Sequence, residues 1–288
     1  MGTQLGIWLL RLLARLPLPW LRTLGAGIGS LLYPLIPKRR RIALKNIALC
    51  FPELDKAARK RLARRHFQVF AQTMLDRAWL WHADPAVVRQ RLKLTGCVDQ
   101  FNGHTPIVIF APHFLGLDAG ATALSQQVAR QFDTIYTEQS NKTADAWIAQ
   151  GRQRFGNARL LRKSEGVKSI VAAIRRGEPL YLLPDMDFGP AESVFVPFFG
   201  IPAATVPSLS RFARLGRAQV VPVTARLTPT GYDVVVHPAW EHFPTHDAPA
   251  DTARMNRWLE SVVVTMPEQY YWVHKRFKTR PPGEPSPY

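Results

Sequence analysis

Hydrophobic and polar positions divide the chain into a helical first third and an alternating remainder. Apolar residues recur every three or four positions over residues 42–82, which predicts helix, and a short helix should begin at Asp84-Pro85. Predicted strands are 107–110, 132–136, 158–161, 179–183, 218–223 and 232–236, and predicted helices are 114–130, 142–155, 165–176, 203–215 and 251–265. This alternation predicts an α/β fold, with a mixed sheet flanked by helices.

The N-terminal segment has an amphipathic pattern. Leucines at 5, 9, 12, 13 and 16 share one helical face, arginines at 11, 15 and 22 line another, and Trp8 and Trp20 could anchor it at a membrane interface. The uncharged stretch Thr23–Pro37 is shorter than the roughly 20 residues of a spanning helix. We interpret residues 1–37 as a retained membrane anchor that lies in the interface or spans with difficulty; the alternative is a buried pair of soluble helices.

Three glycines in this segment, Gly25, Gly27 and Gly29, form a G-x-G-x-G pattern. No strand precedes them, so a dinucleotide-binding loop is not expected. We interpret them as helix-packing residues within lipid.

Charge reinforces the membrane interpretation. The 288 residues carry 38 Lys and Arg against 21 Asp and Glu, a net charge of +17, and 14 of the basic residues lie within the first 65 positions beside only two acids. Such an excess favours nucleic acid, an anionic membrane surface or acidic partners. With only Cys50 and Cys97, the chain cannot form a disulfide scaffold or a four-cysteine zinc site.

A histidine and an aspartate follow the first strand of the α/β region. His113 should leave the strand end, and Asp118 should lie in the first turn of the next helix. A carboxylate there could bond one imidazole nitrogen and leave the other free to accept a proton. The pattern His-x-x-x-x-Asp is common by chance, so a surface histidine and an ordinary helix-start aspartate remain the alternative.

Other charged residues follow later strands. Asp185 and Asp187 form an Asp-x-Asp pattern, which could hold a metal–nucleotide but is more typical of a turn or an arginine partner. Candidate anion-binding residues are Arg152, Arg154, Arg162 and Lys163.

Several motifs together resemble one protein family. His113-x-x-x-x-Asp118 is similar to the signature of glycerolipid acyltransferases. The chain also resembles the bacterial late lipid A acyltransferases, of the lauroyl/myristoyl transferase type, in four blocks: Asn46–Glu53, Pro184–Gly189, Val196–Gly200 and Pro267–Phe277. The resemblance runs from about residue 5 to 280. Met186 stands where the family carries Gln or His, and Asp118 where several members carry Glu.

The resemblance implies an acyl-carrier-protein-dependent O-acyltransferase, with residues 38–288 as a single acyltransferase domain. The donor would be an acyl thioester on acyl carrier protein, and the acceptor a hydroxyl of a Kdo-bearing lipid A precursor at the cytoplasmic face of the bacterial inner membrane. His113 would be the general base, Asp118 would orient it, and Arg152 would assist; Arg162 and Asp185 would contact substrate. No metal or other cofactor is implied, and nucleic acid is not an expected partner.

The floor of an acyl tunnel is expected among Phe114, Leu115, Leu117, Phe198 and Phe199; the alternative is that all five are ordinary core residues. Competing functions are acylation of another glycolipid or a lysophospholipid, a metal-dependent glycosyltransferase using Asp185 and Asp187, and non-catalytic binding of membrane or nucleic acid through charge alone.

Overall fold

Five helices open the chain, which a computed structural model describes over residues 2–162 and 166–288. They are α1 (Gly2–Leu13), α2 (Leu18–Leu35), α3 (Pro37–Cys50), α4 (Lys56–His82) and α5 (Pro85–Arg91). The single helix predicted over 42–82 is wrong, because the chain breaks after Cys50. Pro52 disfavours helical geometry at Phe51, and the Asp55 carboxylate accepts a 2.6 Å hydrogen bond from the Ala58 amide to start α4.

A seven-stranded sheet forms the centre of the remaining chain. Its strands are β1 (Leu92–Gly96), β2 (Ile107–Phe110), β3 (Phe132–Tyr136), β4 (Ala158–Arg162), β5 (Leu180–Leu182), β8 (Gln219–Thr228) and β9 (Gly231–Val236), in the order β1-β9-β8-β2-β5-β3-β4. The pairing of β8 with β9 is antiparallel and the others are parallel. The remaining strands, β6 (Val194–Phe198) and β7 (Ile201–Thr205), form an antiparallel pair of their own.

Helices α6 (Leu117–Gln127), α7 (Lys142–Arg152), α8 (Gly166–Arg175), α9 (Ser208–Gly216) and α10 (Ala248–Val263) complete the fold. Alternate residues of β2 enter two different hydrophobic clusters: Val108 and Phe110 join one, and Ile107 and Ile109 the other. Because strand side chains alternate between faces, the two clusters lie on opposite faces of the sheet. The predicted α/β fold with a mixed sheet flanked by helices is confirmed.

Three strands were not predicted. In β1, only Leu92 is buried and its neighbours are partly or fully exposed, so the apolar signal is weak. Strands β6 and β7 contain Pro197 and Pro202, which are unusual within strands. The helix predicted to begin at 203 begins at Ser208, because residues 201–205 belong to β7.

Helix α2 packs along α4 with one face. Gly25 and Gly29 lie at this contact, where a Cβ would meet the Gln72 Cα at 2.8 Å and the Phe67 carbonyl oxygen at 2.3 Å. Gly25 and Gly29 are therefore helix-packing residues, as predicted, but they pack against α4 of the same chain; the prediction is wrong for Gly27, where a Cβ would meet nothing within 4 Å.

The opposite faces of α1 and α2 expose a stripe of large apolar side chains. On α2, Trp20 is 73% exposed, Leu31 64% and Leu35 71%. The stripe consists of Leu5, Trp8, Leu9, Leu12, Leu16, Trp20, Leu24, Leu31, Leu35 and Ile36. Among the helices of the described residues, none has both the length and the apolar character needed to cross a membrane.

Candidate active site

The backbone around His113 is held by a segment close to the C-terminus. His113 lies just beyond β2, and its carbonyl oxygen accepts a 3.0 Å hydrogen bond from the Tyr271 amide. The Leu115 amide donates to the Gln269 carbonyl at 2.8 Å, and Phe114 forms a β-bridge with Tyr270. The histidine is therefore fixed between the carboxyl end of β2 and the segment 269–271.

The imidazole of His113 is hydrogen-bonded to Asp185. Its Nδ1 lies 2.7 Å from Asp185 Oδ1, and Asp185 also accepts hydrogen bonds from the His113 amide at 3.1 Å and the Tyr270 hydroxyl at 3.2 Å. Asp185 is fully buried, which raises the pKa of its carboxyl, but the charge and hydrogen bonds of His113 outweigh burial and hold that pKa below its usual value. An ionised Asp185 requires a proton on Nδ1, which leaves Nε2 of a neutral His113 as a proton acceptor.

Asp118 has different partners from those expected. Its Oδ2 accepts a 2.8 Å hydrogen bond from Arg77 Nε, and its Oδ1 accepts one from Arg152 Nε at 2.9 Å. Asp118 thereby joins the start of α6 to the end of α7 and to the C-terminal half of α4. The carboxylate paired with His113 Nδ1 is Asp185, and the expected orienting contact from Asp118 is replaced by this arginine clamp.

The clamp keeps Asp118 ionised and leaves a surplus of positive charge. Burial raises the pKa of its carboxyl, but the charges and hydrogen bonds of Arg152 and Arg77 prevail and lower it to about 2. In turn, Asp118 raises the pKa of Arg152. Two guanidinium groups share one carboxylate, so the cluster carries one net positive charge where the three side chains border the cavity described below.

Arg77 was not predicted from the sequence. It lies within the basic helix α4 and stacks over the Trp81 ring at 5.3 Å, while its guanidinium reaches Asp118. A basic residue among many on one helix gives no sequence signal, and only the tertiary contact identifies it.

Arg154 and Arg162, which were also predicted to bind anions, have other partners. Arg162, at the end of β4, is 3.1 Å from Glu138 and is not among the described cavity-lining residues. Arg154 donates to the carbonyls of Leu80 and Ala83 at the end of α4. Lys163 lies outside the described residues.

Asp187 links its own turn to a segment near the C-terminus. It is buried and accepts hydrogen bonds from the Gly189 amide at 2.9 Å and from the Thr279 amide and hydroxyl at 2.8 and 2.9 Å. Asp187 thus bonds backbone amides, as the turn interpretation of Asp-x-Asp predicts, whereas Asp185 pairs with the imidazole of His113. The intervening Met186 is 3% exposed and packs in the hydrophobic core.

A largely apolar cavity opens beside His113. Its volume is about 880 Å³, within the range of roughly 300–1,000 Å³ typical of ligand sites. His113, Asp118, Arg77 and Arg152 border it together with Tyr271, and apolar side chains from α6, β3 and β4 form much of the remaining wall. The site therefore combines a proton acceptor and surplus positive charge with a space suited to an apolar chain.

The sequence profile of the bacterial lipid A biosynthesis acyltransferases matches residues 1–279. The chain belongs to this family. It is therefore an acyltransferase of lipid A biosynthesis, which confirms the family that the sequence motifs indicated.

Three relatives, all from Escherichia coli (strain K12), show how far the similarity of this lipid A acyltransferase extends. The lipid A biosynthesis lauroyltransferase is 33% identical, over 99% of this chain and 94% of the relative. The palmitoleoyltransferase is 30% identical over the same shares of both chains. The myristoyltransferase is 32% identical, over 100% of this chain and 90% of the relative.

Replacement of Asp118 by Asn should destabilise this acyltransferase in a pH-dependent way. The folded-state pKa of about 2 lies below the ordinary 3.8, so ionised Asp118 stabilises the fold above the ordinary value. We expect Asp118→Asn to lower the free energy of unfolding by about 2 kcal/mol at pH 7. The difference should shrink as the pH falls from about 4 to about 2.

Urea unfolding of the wild type and Asp118→Asn at pH 7, 4 and 3 checks this expectation. The exposed Glu241→Gln variant is the control and should match the wild type. An equal destabilisation at pH 7 and at pH 3 would show that the arginine clamp does not depend on the charge of Asp118.

Proposed function

We propose that this chain transfers a fatty acyl group from acyl carrier protein to a free hydroxyl of a Kdo-bearing lipid A precursor. The observation that carries the proposal is the His113–Asp185 pair, 2.7 Å apart, at the border of the 880 Å³ cavity. A general base beside an apolar cavity is what esterification of a hydroxyl by a fatty acyl thioester requires. The lauroyl, palmitoleoyl and myristoyl groups named for the relatives support a fatty acyl donor.

In this mechanism, Nε2 of His113 accepts the proton of the acceptor hydroxyl as its oxygen attacks the thioester carbonyl. The tetrahedral intermediate then collapses, the carbon–sulfur bond breaks, and the carrier thiolate takes the proton from the imidazolium. Asp185 holds the imidazole tautomer and stabilises its charged form. This assignment moves Asp185 from the substrate-binding role implied by the family resemblance to a role behind His113.

Arg152 and Arg77 act on negative charge in the same mechanism. Each guanidinium carries five N–H donors, and Asp118 uses only some of them. The remaining donors and the surplus charge suit the developing oxyanion or a phosphate of the acceptor. Asp118 thus contributes by positioning the two arginines.

The acidic acyl carrier protein fits the charge of the chain. Basic residues are concentrated in α3 and the first half of α4, at 38–41, 45, 56, 59–61, 64 and 65. A basic surface raises the rate of encounter with an acidic partner. A donor test with acyl carrier protein at several salt concentrations examines this point directly.

Residues 1–37 attach the protein to the cytoplasmic face of the bacterial inner membrane in this proposal. The exposed stripe on α1 and α2 consists of large apolar side chains of the kind that mark a membrane contact. The basic run Lys38–Arg41 follows it directly and suits anionic headgroups. Helices α1 and α2 thus contact α4 through one face and the membrane through the other.

A triple variant, Trp8→Ser/Trp20→Ser/Leu31→Ser, tests this attachment. All three side chains are exposed, so the fold should survive their replacement. Burial of one large apolar side chain is worth about 1.5–3 kcal/mol, so vesicle affinity should fall by roughly a hundredfold or more. Sedimentation with vesicles containing phosphatidylglycerol measures the bound fraction.

The control replaces an exposed apolar residue outside the stripe, Val264→Ser, and should bind like the wild type. Full-length wild type should remain bound in 1 M salt, because apolar insertion is not screened. Release of the wild type by salt alone, or full binding by the triple variant, would contradict insertion of α1 and α2 into the membrane.

The proposed activity is tested with purified full-length protein and a panel of acceptors. The acceptors are a Kdo-bearing lipid A precursor, the same precursor without Kdo, and a lysophospholipid, each offered with a twelve-carbon acyl carrier protein. Mass spectrometry should show one added acyl chain on the Kdo-bearing precursor. Acylation of the lysophospholipid alone would overturn the proposed acceptor, and transfer only from acyl-coenzyme A would overturn the proposed donor.

A further inference from the structure

The side chains that line the cavity lie on both faces of the sheet, which gives it one lobe on each face. In the β3–β4 pairing, Phe132 lies beside Ala158 and Thr134 beside Leu160, and Thr134 also pairs with Tyr181 of β5. Directly paired residues share a face, so these side chains form one wall. Phe132 and Tyr181 belong to the same hydrophobic cluster as Leu124, which places this wall on the α6 side of the sheet.

The opposite lobe lies on the other face of the sheet. Ile135, the neighbour of Thr134, packs with the cluster that contains Phe212 of α9. Phe188, which is 60% exposed, also borders the cavity, as do the exposed Ala191 and Glu192. This second lobe is therefore open to the surroundings.

The lobe beneath α6, which we call the α6 lobe, is defined by Leu117, Ala121, Leu124, Phe132, Thr134 and Leu160. Leu117, Ala121 and Leu124 are four and three residues apart, so they form one stripe along α6. The helix begins near the His113 end of the sheet and runs back along it. Leu124 and Phe132 therefore lie at the end of the lobe farthest from His113.

The depth of the α6 lobe follows from regular geometry. Seven helical residues from Leu117 to Leu124 span about 10 Å. Four strand residues from Tyr136 to Phe132 span about 13 Å. Beyond this depth the Phe132 ring packs against Phe101, with ring centroids 5.6 Å apart, and both side chains are buried.

A carbon–carbon bond of about 1.5 Å advances an extended chain by about 1.3 Å per methylene. The α6 lobe therefore accommodates about eight to ten methylenes beyond Leu117. A few further carbons connect that level with the thioester carbon at His113. The total corresponds to a medium-length chain of about twelve to fourteen carbons.

We propose that the α6 lobe binds the acyl chain of the donor, and that Leu124 and Phe132 at its end set the accepted chain length. The closed end suits a chain of fixed length, whereas the open lobe beside Phe188 suits the larger acceptor. This inference rests on the proposed function. It also revises the floor expected from the sequence. Phe114, Leu115 and Leu117 line the cavity as expected, but Phe198 and Phe199 are not among its described lining residues, and Phe198 is fully buried against Tyr270 and Phe277.

Ala121→Phe is the principal test, because Ala121 lies midway along the lobe and is only partly buried. Competition among ten-, twelve- and fourteen-carbon acyl carrier proteins on one acceptor measures the product ratio. The variant should shift the ratio toward shorter chains by roughly tenfold for each two-carbon step. Phe132→Leu should shift it toward longer chains.

The matched control is Ala191→Phe, the same substitution in the open lobe, and it should leave the donor ratio unchanged. An unchanged ratio in a folded Ala121→Phe protein, or the same shift in Ala191→Phe, would overturn the inference. If Ala121→Phe fails to fold by thermal unfolding, Ala121→Val and Phe132→Leu decide the question. Wild type that acylates no lipid A precursor with any donor would instead refute the proposed function.

Discussion

Replacement of His113 by Ala should reduce the rate of acyl transfer by a factor of about 10² to 10⁴. General-base catalysis contributes effects of this size, and His113 is the base in the proposed mechanism. The imidazole is partly exposed to the cavity, and its removal leaves the backbone contacts of residues 113–115 with 269–271 in place. Single-turnover assays with acyl carrier protein donor should therefore show slow chemistry in a folded protein.

The control for this variant is His246→Ala, which replaces an exposed histidine outside the described cavity wall. It should retain wild-type activity. Both variants need the same thermal unfolding profile as the wild type for the comparison to hold. A folded His113→Ala enzyme with a near-normal rate would refute its role as the base.

The second large effect concerns stability and comes from a buried ion pair. Arg22 of α2 lies 3.1 Å from the Asp76 carboxylate of α4, and both side chains are buried. Trp79 Nε1 donates to Asp76 at 2.9 Å, the Tyr232 hydroxyl donates to it at 2.5 Å, and Arg22 donates to the Gly231 carbonyl. Burial raises the pKa of Asp76, and Arg22 opposes that rise.

Asp76→Ala should lower the free energy of unfolding by about 3–5 kcal/mol, because it leaves Arg22 buried without its counter-ion. Urea unfolding in detergent measures the change. The exposed pair Arg211–Glu192 gives the control, since Glu192→Ala should change stability by less than about 0.5 kcal/mol. A double variant, Arg22→Met/Asp76→Leu, should recover much of the lost free energy of unfolding. If Asp76→Ala and Glu192→Ala lowered the free energy of unfolding equally, the buried ion pair would not stabilise the fold.

This ion pair also affects how the membrane proposal is tested. Deletion of residues 1–37 would remove Arg22 together with the face of α2 that packs on α4. Loss of membrane binding would then be confused with loss of folding. Substitutions in the exposed stripe separate the two effects.

Local patterns predicted most of the sheet because buried parallel strands are short, apolar and flanked by turn residues. Strand β3 begins and ends as predicted, at residues 132 and 136. The same rules missed the half-exposed β1 and the proline-containing β6 and β7. They also overlooked the break between α3 and α4, where a single proline outweighs helical periodicity on either side.

The candidate site was predicted only in part, because its contacts depend on strand order. His113 and Asp118 are close in sequence, so their pairing was the natural expectation. Asp185 is 72 residues from His113, and it reaches the imidazole because β5 lies directly beside β2. Nothing in the local sequence specifies that neighbour, nor the approach of Arg77 from α4.

The central claim is that Asp185, and not Asp118, acts through His113. A double-mutant cycle measures this most directly, using single-turnover rates of wild type, His113→Ala, Asp185→Asn and the variant with both changes. We predict that the double variant is about as slow as His113→Ala alone, because Asp185 affects the chemical step only through the imidazole. The claim is contradicted if the rate losses of His113→Ala and Asp185→Asn multiply in the double variant, while a second cycle shows that the losses of His113→Ala and Asp118→Asn do not multiply. That outcome would assign the orienting role to Asp118.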